Sequence, residues 1–160
     1  MKESDLYQPV RDWLRSRGYV VHVEIFDCDV VGINEAGHMV AVELKLGMHA
    51  DLCTQLNNRC RWADEVWAAV PHTAGKPFKS WEYYGWGLLI IRNGKLSVRR
   101  KARPQPWFWH RSRAYKRGRL MGRLPARDTD LAGLPSCRLR REQREAVEQI
   151  SISNSPSGQE

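Results

Sequence analysis

From Leu6 onward the apolar residues fall at Leu6, Val10, Trp13 and Leu14, the three-to-four spacing of one helix face. The spacing predicts a helix over Ser4–Arg17, with Ser4 or Asp5 as N-cap and Gly18 as the stop. Pro9 lies within roughly the first turn, where a missing N–H is tolerated. The period then shortens. Tyr19–Phe26 (YVVHVEIF) is β-branched and partly alternating, which predicts a strand. Asp27-Cys28-Asp29 interrupts the apolar run, Val30–Ile33 resumes it, and Asn34-Glu35-Ala36-Gly37 makes a turn. His38–Leu46 (HMVAVELKL) follows as a further strand. Ala50–Ala63 returns to helical spacing, with Asp51 near its start and Leu52, Leu56 and Cys60 along one face. Glu65–Pro71 is a short apolar run closed by proline, the pattern of a buried strand, and Lys76–Gly85 reads as irregular. Gly87–Ile91 and Lys95–Arg99 form a hairpin across Arg92-Asn93-Gly94, because Asn-Gly accepts the positive φ of a tight turn. The predicted order is α-β-β-β-α-β followed by a hairpin, an α/β domain.

The chain has 160 residues, 42% of them hydrophobic, enough for one domain with a decorated end. No internal repeat is visible. No stretch approaches the ~18 apolar residues of a membrane span, and MKESDLYQPV lacks the apolar region of a secretion signal. A soluble, cytoplasmic protein with no membrane partner is expected. Cys28, Cys53, Cys60 and Cys137 form no CxxC pair, consistent with reduced thiols. His49 and Cys53 share an i,i+4 face, but two ligands do not make a metal site, and a helix flank with a half-buried thiol is the simpler reading. A GxSxG elbow and a P-loop are both missing, which excludes the corresponding hydrolase and nucleotide chemistries.

Charge divides the chain. The net charge is +8, of which residues 1–98 carry −1 and residues 99–160 carry +9. Arg99–Arg127 holds 11 basic residues and no acid. The segment includes Arg99, Arg100, Lys101, Arg103, Arg111, Arg113, Lys116, Arg117 and Arg119, interleaved with Trp107, Phe108, Trp109 and Tyr115. Disordered solubilising tails are poor in aromatics. Basic residues among aromatics suit phosphate contacts plus stacking on unpaired bases, so nucleic acid is the expected partner. A small hydrophobic cap over the hairpin is the competing role for Trp107, Phe108 and Trp109. The expected division is a core over 1–100, a basic extension over 101–150 with a plausible short helix at Arg138–Ile150, and a frayed tail over 151–160.

One strand needs a chemical account. MVAVELKL carries Glu43 and Lys45 two residues apart, hence on one face, with Val42, Leu44 and Leu46 on the other. An exposed edge strand with a Glu/Lys pair would explain this blandly. A second acid argues otherwise: Asp29 opens the Val30–Ile33 strand, and a four-residue turn brings that strand back beside Glu43. Two carboxylates with a lysine beside them are hard oxygen ligands plus a cation, a natural Mg²⁺ site.

Asp29, thirteen intervening residues, then Glu43-Leu44-Lys45 resembles the PD-(D/E)xK signature of the restriction-endonuclease-like nucleases. The predicted αβββαβ order is the core that superfamily shares, built on a mixed central sheet. Within it the sequence looks closest to small archaeal Holliday-junction resolvases and VRR-NUC-type nucleases. Glu3 matches the acid those proteins often place near the first helix, and Gln55 matches a glutamine in the helix after the lysine. The likeness covers about residues 1–72. Cys28 stands where the motif has proline, and Arg59 stands where one branch has the tyrosine of QxxxY. Asp27 competes with Asp29 for the metal, and Glu24 with Glu3 as accessory acid.

The resemblance implies a Mg²⁺-dependent DNA endonuclease, with Mn²⁺ as a substitute, selective for DNA structure (junction, flap or nick) over sequence. Asp29, Glu43 and the Leu44 carbonyl would bind metal, with Glu3 as an accessory. Lys45 would orient water or stabilise the transition state, and Gln55 would position the nucleophile or a phosphate. Cutting two strands with one site per chain makes a homodimer plausible. The alternative is a catalytically inactive nuclease fold that binds nucleic acid or a partner protein. If the basic arm reads DNA shape, truncation after Arg99 weakens binding to all DNA alike; in a competition assay, loss confined to one sequence would contradict that.

Overall fold

Met39–Leu44 is buried at all six positions, which a strand achieves only with neighbours on both edges and layers on both faces. In the computed structural model, which describes residues 1–77 and 79–104, it is the third strand (β3) of a six-stranded mixed sheet. Val20–Ile25 (β1) and Cys28–Ile33 (β2) precede it; Glu65–Pro71 (β4), Gly87–Arg92 (β5) and Lys95–Arg100 (β6) follow. The strands lie in the sheet in chain order. β1–β2, β2–β3 and β5–β6 pair antiparallel, whereas β3–β4 and β4–β5 pair parallel. The parallel pairs need crossovers. One is Ala50–Arg59 (α2), and the other contains the short helix Ser80–Tyr84 (α3).

The expected α-β-β-β-α-β order and hairpin are present. The sheet separates two cores. On one face, Leu6, Val10 and Leu14 of the N-terminal helical segment pack on Val21, Val30, Val42, Leu44 and Trp67. On the other, Leu52, Leu56 and Cys60 pack on Val31, Met39, Ala41 and Ala68, joined by Trp62, Trp81 and Trp86. The predicted apolar faces of both long helices are therefore the buried ones. Asn93 and Gly94 both adopt positive φ, 50° and 73°, as the tight β5–β6 turn requires.

Several boundaries differ from the expectation. The first helix is a 3-10 turn, Glu3–Leu6, leading into Tyr7–Arg15 (α1). Neither Ser4 nor Asp5 is its N-cap; Lys2 holds that position, and its N–H donates to Asp5 Oδ2 at 2.7 Å. α2 stops at Arg59 instead of Ala63, because Cys60–Trp62 tightens into a turn with Trp62 N–H donating to Arg59 O. α3 lies in a segment expected to be irregular. Five residues are too few to show a period, and the helix is fixed by tertiary contacts: Trp81 is fully buried and its Nε1 donates to Trp86 O at 3.0 Å. β3 is also a central strand, not the edge strand that the bland reading of Glu43 and Lys45 required.

No helix among the described residues is long and apolar enough to cross a membrane. The expected extension and tail from residue 105 onward, including Trp107, Trp109, Arg111, Arg113, Lys116, Arg117 and Arg119, lie outside the described residues.

Gly87 is where β5 passes under the indole of Trp67, and a Cβ there would enter the ring. Trp67 is itself buried and meets Trp13 edge to face at 5.0 Å. Overpacking of this kind typically destabilises by about 1–3 kcal/mol. Gly87→Ala is therefore expected to lower the urea midpoint by a corresponding amount, and an unchanged midpoint would show that the Trp67 contact yields freely.

Candidate functional site

The β2–β3 register runs Ile33↔Met39, Gly32↔Val40, Val31↔Ala41, Val30↔Val42. Its next position sets Asp29 opposite Glu43. Glu43 shares the parity of Ala41 and meets Arg59 of α2, so its side chain belongs to the sheet face that α2 covers. At this level the strands part, and the Asp29 side chain replaces the ladder: its Oδ2 accepts the Leu44 N–H at 2.7 Å. The N–H and C=O of one strand residue point to the same edge, which turns the Leu44 carbonyl towards the Asp29 side as well.

Glu43 is 1% exposed. Such a carboxylate must be paired and hydrogen-bonded, and its partner is Arg59, 7% exposed, in the last turn of α2. Arg59 Nε donates to Glu43 Oε1 at 2.5 Å, and Nη2 donates to the Asp27 carbonyl. Burial pushes the Glu43 carboxyl up from 4.5 to about 7, and Asp29 beside it pushes the same way, against the charge and hydrogen bond of Arg59. Burial works against the guanidinium charge too, yet Glu43 holds Arg59 above its ordinary value. Cys28, next to this pair, is buried with its Sγ against the Val30 and Val42 carbonyls. Burial, then Glu43, raise its thiol well above the usual range, which makes it a packed apolar group and not a nucleophile.

Lys45 lies one residue beyond β3. Its N–H donates to Ala69 O at 3.1 Å, and its ammonium meets Glu3 Oε1 at 3.7 Å. The sequence-predicted residues thus come together as two pairs at one end of β3, Asp29 with Glu43 and Glu3 with Lys45. No ion pair joins Lys45 to Asp29 or Glu43 among the described residues. Gln55 precedes Arg59 by one turn of α2, and its Oε1 is buried with no hydrogen-bond partner among the described residues. Asp27 is exposed in the β1–β2 turn, with φ 59°, and offers its carbonyl to the site. Glu24 is exposed on β1. Asp29 and Glu3, not Asp27 and Glu24, are the acids that meet Glu43 and Lys45.

Arg59 was missed as a functional residue. A basic residue one turn after Gln55 gives no sign of burial by itself; its partner Glu43 on β3 supplies it. No three His, Cys, Asp or Glu side chains close around one point among the described residues. Two carboxylates and a carbonyl nevertheless fit Mg²⁺, which keeps several waters and takes only one or two protein carboxylates.

The described part of the basic arm lies on the same sheet. One row of paired residues runs Glu43–Ala68–Leu88–Arg100, so Arg100 is three strands, about 14 Å, from Glu43. Arg99 and Arg100 line an open groove with Lys76, Lys79 and Glu82, and Arg100 pairs with Glu82 at 2.7 Å. Lys101 and Arg103 are exposed just beyond, where Arg103 N–H donates to Gly85 O.

No family model matches the chain, and no curated protein matches it. Among solved structures it is similar to the SPO1766 protein of unknown function from Silicibacter pomeroyi. The TM-score is 0.59 at 19% identity, over 100% of this chain and 97% of that one. At this identity the likeness concerns the fold alone.

Glu43 binds a proton more tightly in the folded chain (about 7) than its ordinary 4.5. Its contribution to stability is thus present below the lower value and lost as pH rises through the upper one. In EDTA, the melting temperature is expected to fall between about pH 5 and about pH 8, and Glu43→Gln to flatten that slope. An undiminished slope in Glu43→Gln would place the titration elsewhere.

Proposed function

We propose that the chain is a Mg²⁺-dependent DNA endonuclease of the restriction-endonuclease-like kind, selective for branched, flapped or nicked DNA over base sequence. The observation that carries this reading is the register of β2 and β3, which sets Asp29 against Glu43 beside the Leu44 backbone. The αβββαβ order with an antiparallel β1–β3 meander and a parallel β3–β4 pair supports it.

Asp29, Glu43 and the Leu44 carbonyl would hold the ion, which when bound supplies a lowered water pKa and a counter-charge for phosphate. The remaining work belongs to the chain. Water oxygen attacks the scissile phosphorus while the P–O3′ bond breaks; the proton the water gives up balances the one the departing O3′ gains, leaving a 5′-phosphate and a 3′-hydroxyl. Lys45, with Glu3 holding its ammonium at the strand end, orients that water or stabilises the charge gathering on the phosphoryl oxygens. Gln55, whose buried carbonyl has a hydrogen bond to spare, positions the water or a phosphate-bound proton donor. Arg99, Arg100, Lys101 and Arg103 extend the contact along the backbone, a sequence-independent attraction that falls with salt.

One observation favours a second reading. The buried Arg59–Glu43 ion pair already neutralises one of the two carboxylates, as it would in a catalytically inactive nuclease fold that only binds nucleic acid or a partner.

Incubation with linear, nicked, flapped, four-way and supercoiled DNA in Mg²⁺, Mn²⁺ or EDTA separates the two. The wild type is expected to cut only with metal. Lys45→Ala is expected to lose at least about 100-fold in cleavage rate, with its circular dichroism and DNA affinity unchanged. Cutting at the wild-type rate by Lys45→Ala would refute the assignment, and salt-sensitive binding without cutting in any metal would establish the second reading.

A further inference from the structure

The proposed ion site has a resident cation, and it limits what else can enter. One oxygen of each carboxylate is already committed to the protein: Asp29 Oδ2 to the Leu44 N–H and Glu43 Oε1 to Arg59 Nε. Outside those bonds each acid has one further oxygen, and a side-chain hydrogen bond also joins the two acids to each other. The third acid of the region, Glu3, is paired with Lys45, and no third carboxylate closes on the same point among the described residues. With Glu43 ionised, as a bound cation requires, Asp29, Glu43 and Arg59 together carry −1. One divalent ion brings them to +1, which suits a phosphodiester anion; a second would bring them to +3 with no further carboxylate at that point among the described residues.

Arg59 is also not placed to swing away. It is 7% exposed, it rises from the last turn of α2, and its second donor is anchored on the Asp27 carbonyl. That carbonyl is fixed in turn by a two-residue hairpin turn in which Phe26 and Asp27 both take positive φ, 58° and 59°. Phe26 is pinned edge to face on Trp62 at 5.6 Å. The guanidinium is thus held from a helix on one side and a turn on the other.

We infer that this site takes a single divalent cation per chain, Arg59 standing as a fixed positive charge beside Glu43 in place of a second ion. The inference rests on the nuclease reading and specifies its metal stoichiometry; Arg59 acts here as a positioning residue, through Glu43 and through its charge.

The test counts Mn²⁺ bound to the full-length protein, by calorimetric titration and by the paramagnetic resonance of the free ion, with no DNA present. The number assigned to the site is the number lost in Glu43→Gln, and one is expected. Arg59→Gln is expected to bind the first ion about tenfold more tightly, the gain from removing a +1 charge roughly 5 Å from a +2 charge even at the dielectric of water. It is also expected to admit a weaker second ion. Arg59→Lys keeps the charge and is expected to keep one ion, so the stoichiometry remains tested if the glutamine variant fails to fold. Two ions lost in Glu43→Gln would overturn the inference and leave the nuclease reading standing, as would an Arg59→Gln affinity that is unchanged or weaker. No ion lost in Glu43→Gln would overturn the metal reading itself.

Discussion

A carboxylate on the central strand of a sheet, closed off by strands on both edges and a helix above, has to be balanced where it stands. Glu43 is in that position, and much of the surrounding architecture answers to it. Isolated burial of such a charge is prohibitive, and breaking a buried pair by removing one partner typically costs about 3–5 kcal/mol. Arg59 supplies the balance from the end of α2. For that the helix must approach β3 at the right distance and end at the right residue, which it does through Leu52, Leu56 and Cys60 on the sheet and a tight turn after Arg59. Asp29 works in the opposite sense. It is a second acid brought against the first, and together with burial it leaves Glu43 holding its proton up to about neutral pH. A stability-driven design would not place two acids together in a core. Perturbed acids held together in this way cluster at functional sites, and this pairing is what the proposed cation site rests on.

The β1–β2 turn belongs to the same arrangement. Phe26 and Asp27 accept left-handed backbone conformations without being glycine, an unfavourable choice that tertiary contacts must over-determine. Phe26 is held by Trp62, and the Asp27 carbonyl receives Arg59. The turn thus fixes the guanidinium, the guanidinium fixes Glu43, and the short turn returns the chain so that Asp29 arrives one residue before the β2–β3 ladder begins.

Much of this was legible from residue types and spacing, and the exceptions have physical causes. Glu43 and Lys45 stood out because a period of two put charges into an apolar strand, and the four-residue turn after Ile33 was enough to bring Asp29 opposite Glu43. Asn93-Gly94 placed the last hairpin for a backbone reason that acts locally. What the sequence did not disclose is non-local. Asp27 and Asp29 have equal parity only if the strand runs straight through them, and it does not: Asp27 is in the turn, so its main chain faces the site and its carboxylate faces water. Arg59 escaped notice because a helix face is read from its apolar positions, and a buried arginine becomes visible only when its partner does. α3 was invisible for want of length, its helical state fixed by the packing of Trp81 against Trp86.

The same residue that marks the site also ends the sheet beside it. From Val30 and Val42 backward the two strands exchange backbone hydrogen bonds; at Asp29 a side-chain oxygen takes over and receives the Leu44 N–H that β2 no longer reaches. A backbone donor inside a protein must be satisfied, so Asp29 has a structural duty independent of any ligand. The aspartate takes up the donor where the ladder ends and meets Glu43 with a side-chain hydrogen bond, so the acid that faces Glu43 is also part of the sheet's own hydrogen bonding. That double role sets the paired acids at this level of the sheet, and not in the equally buried row through Met39 and Ala41, where β2 and β3 complete their ladder.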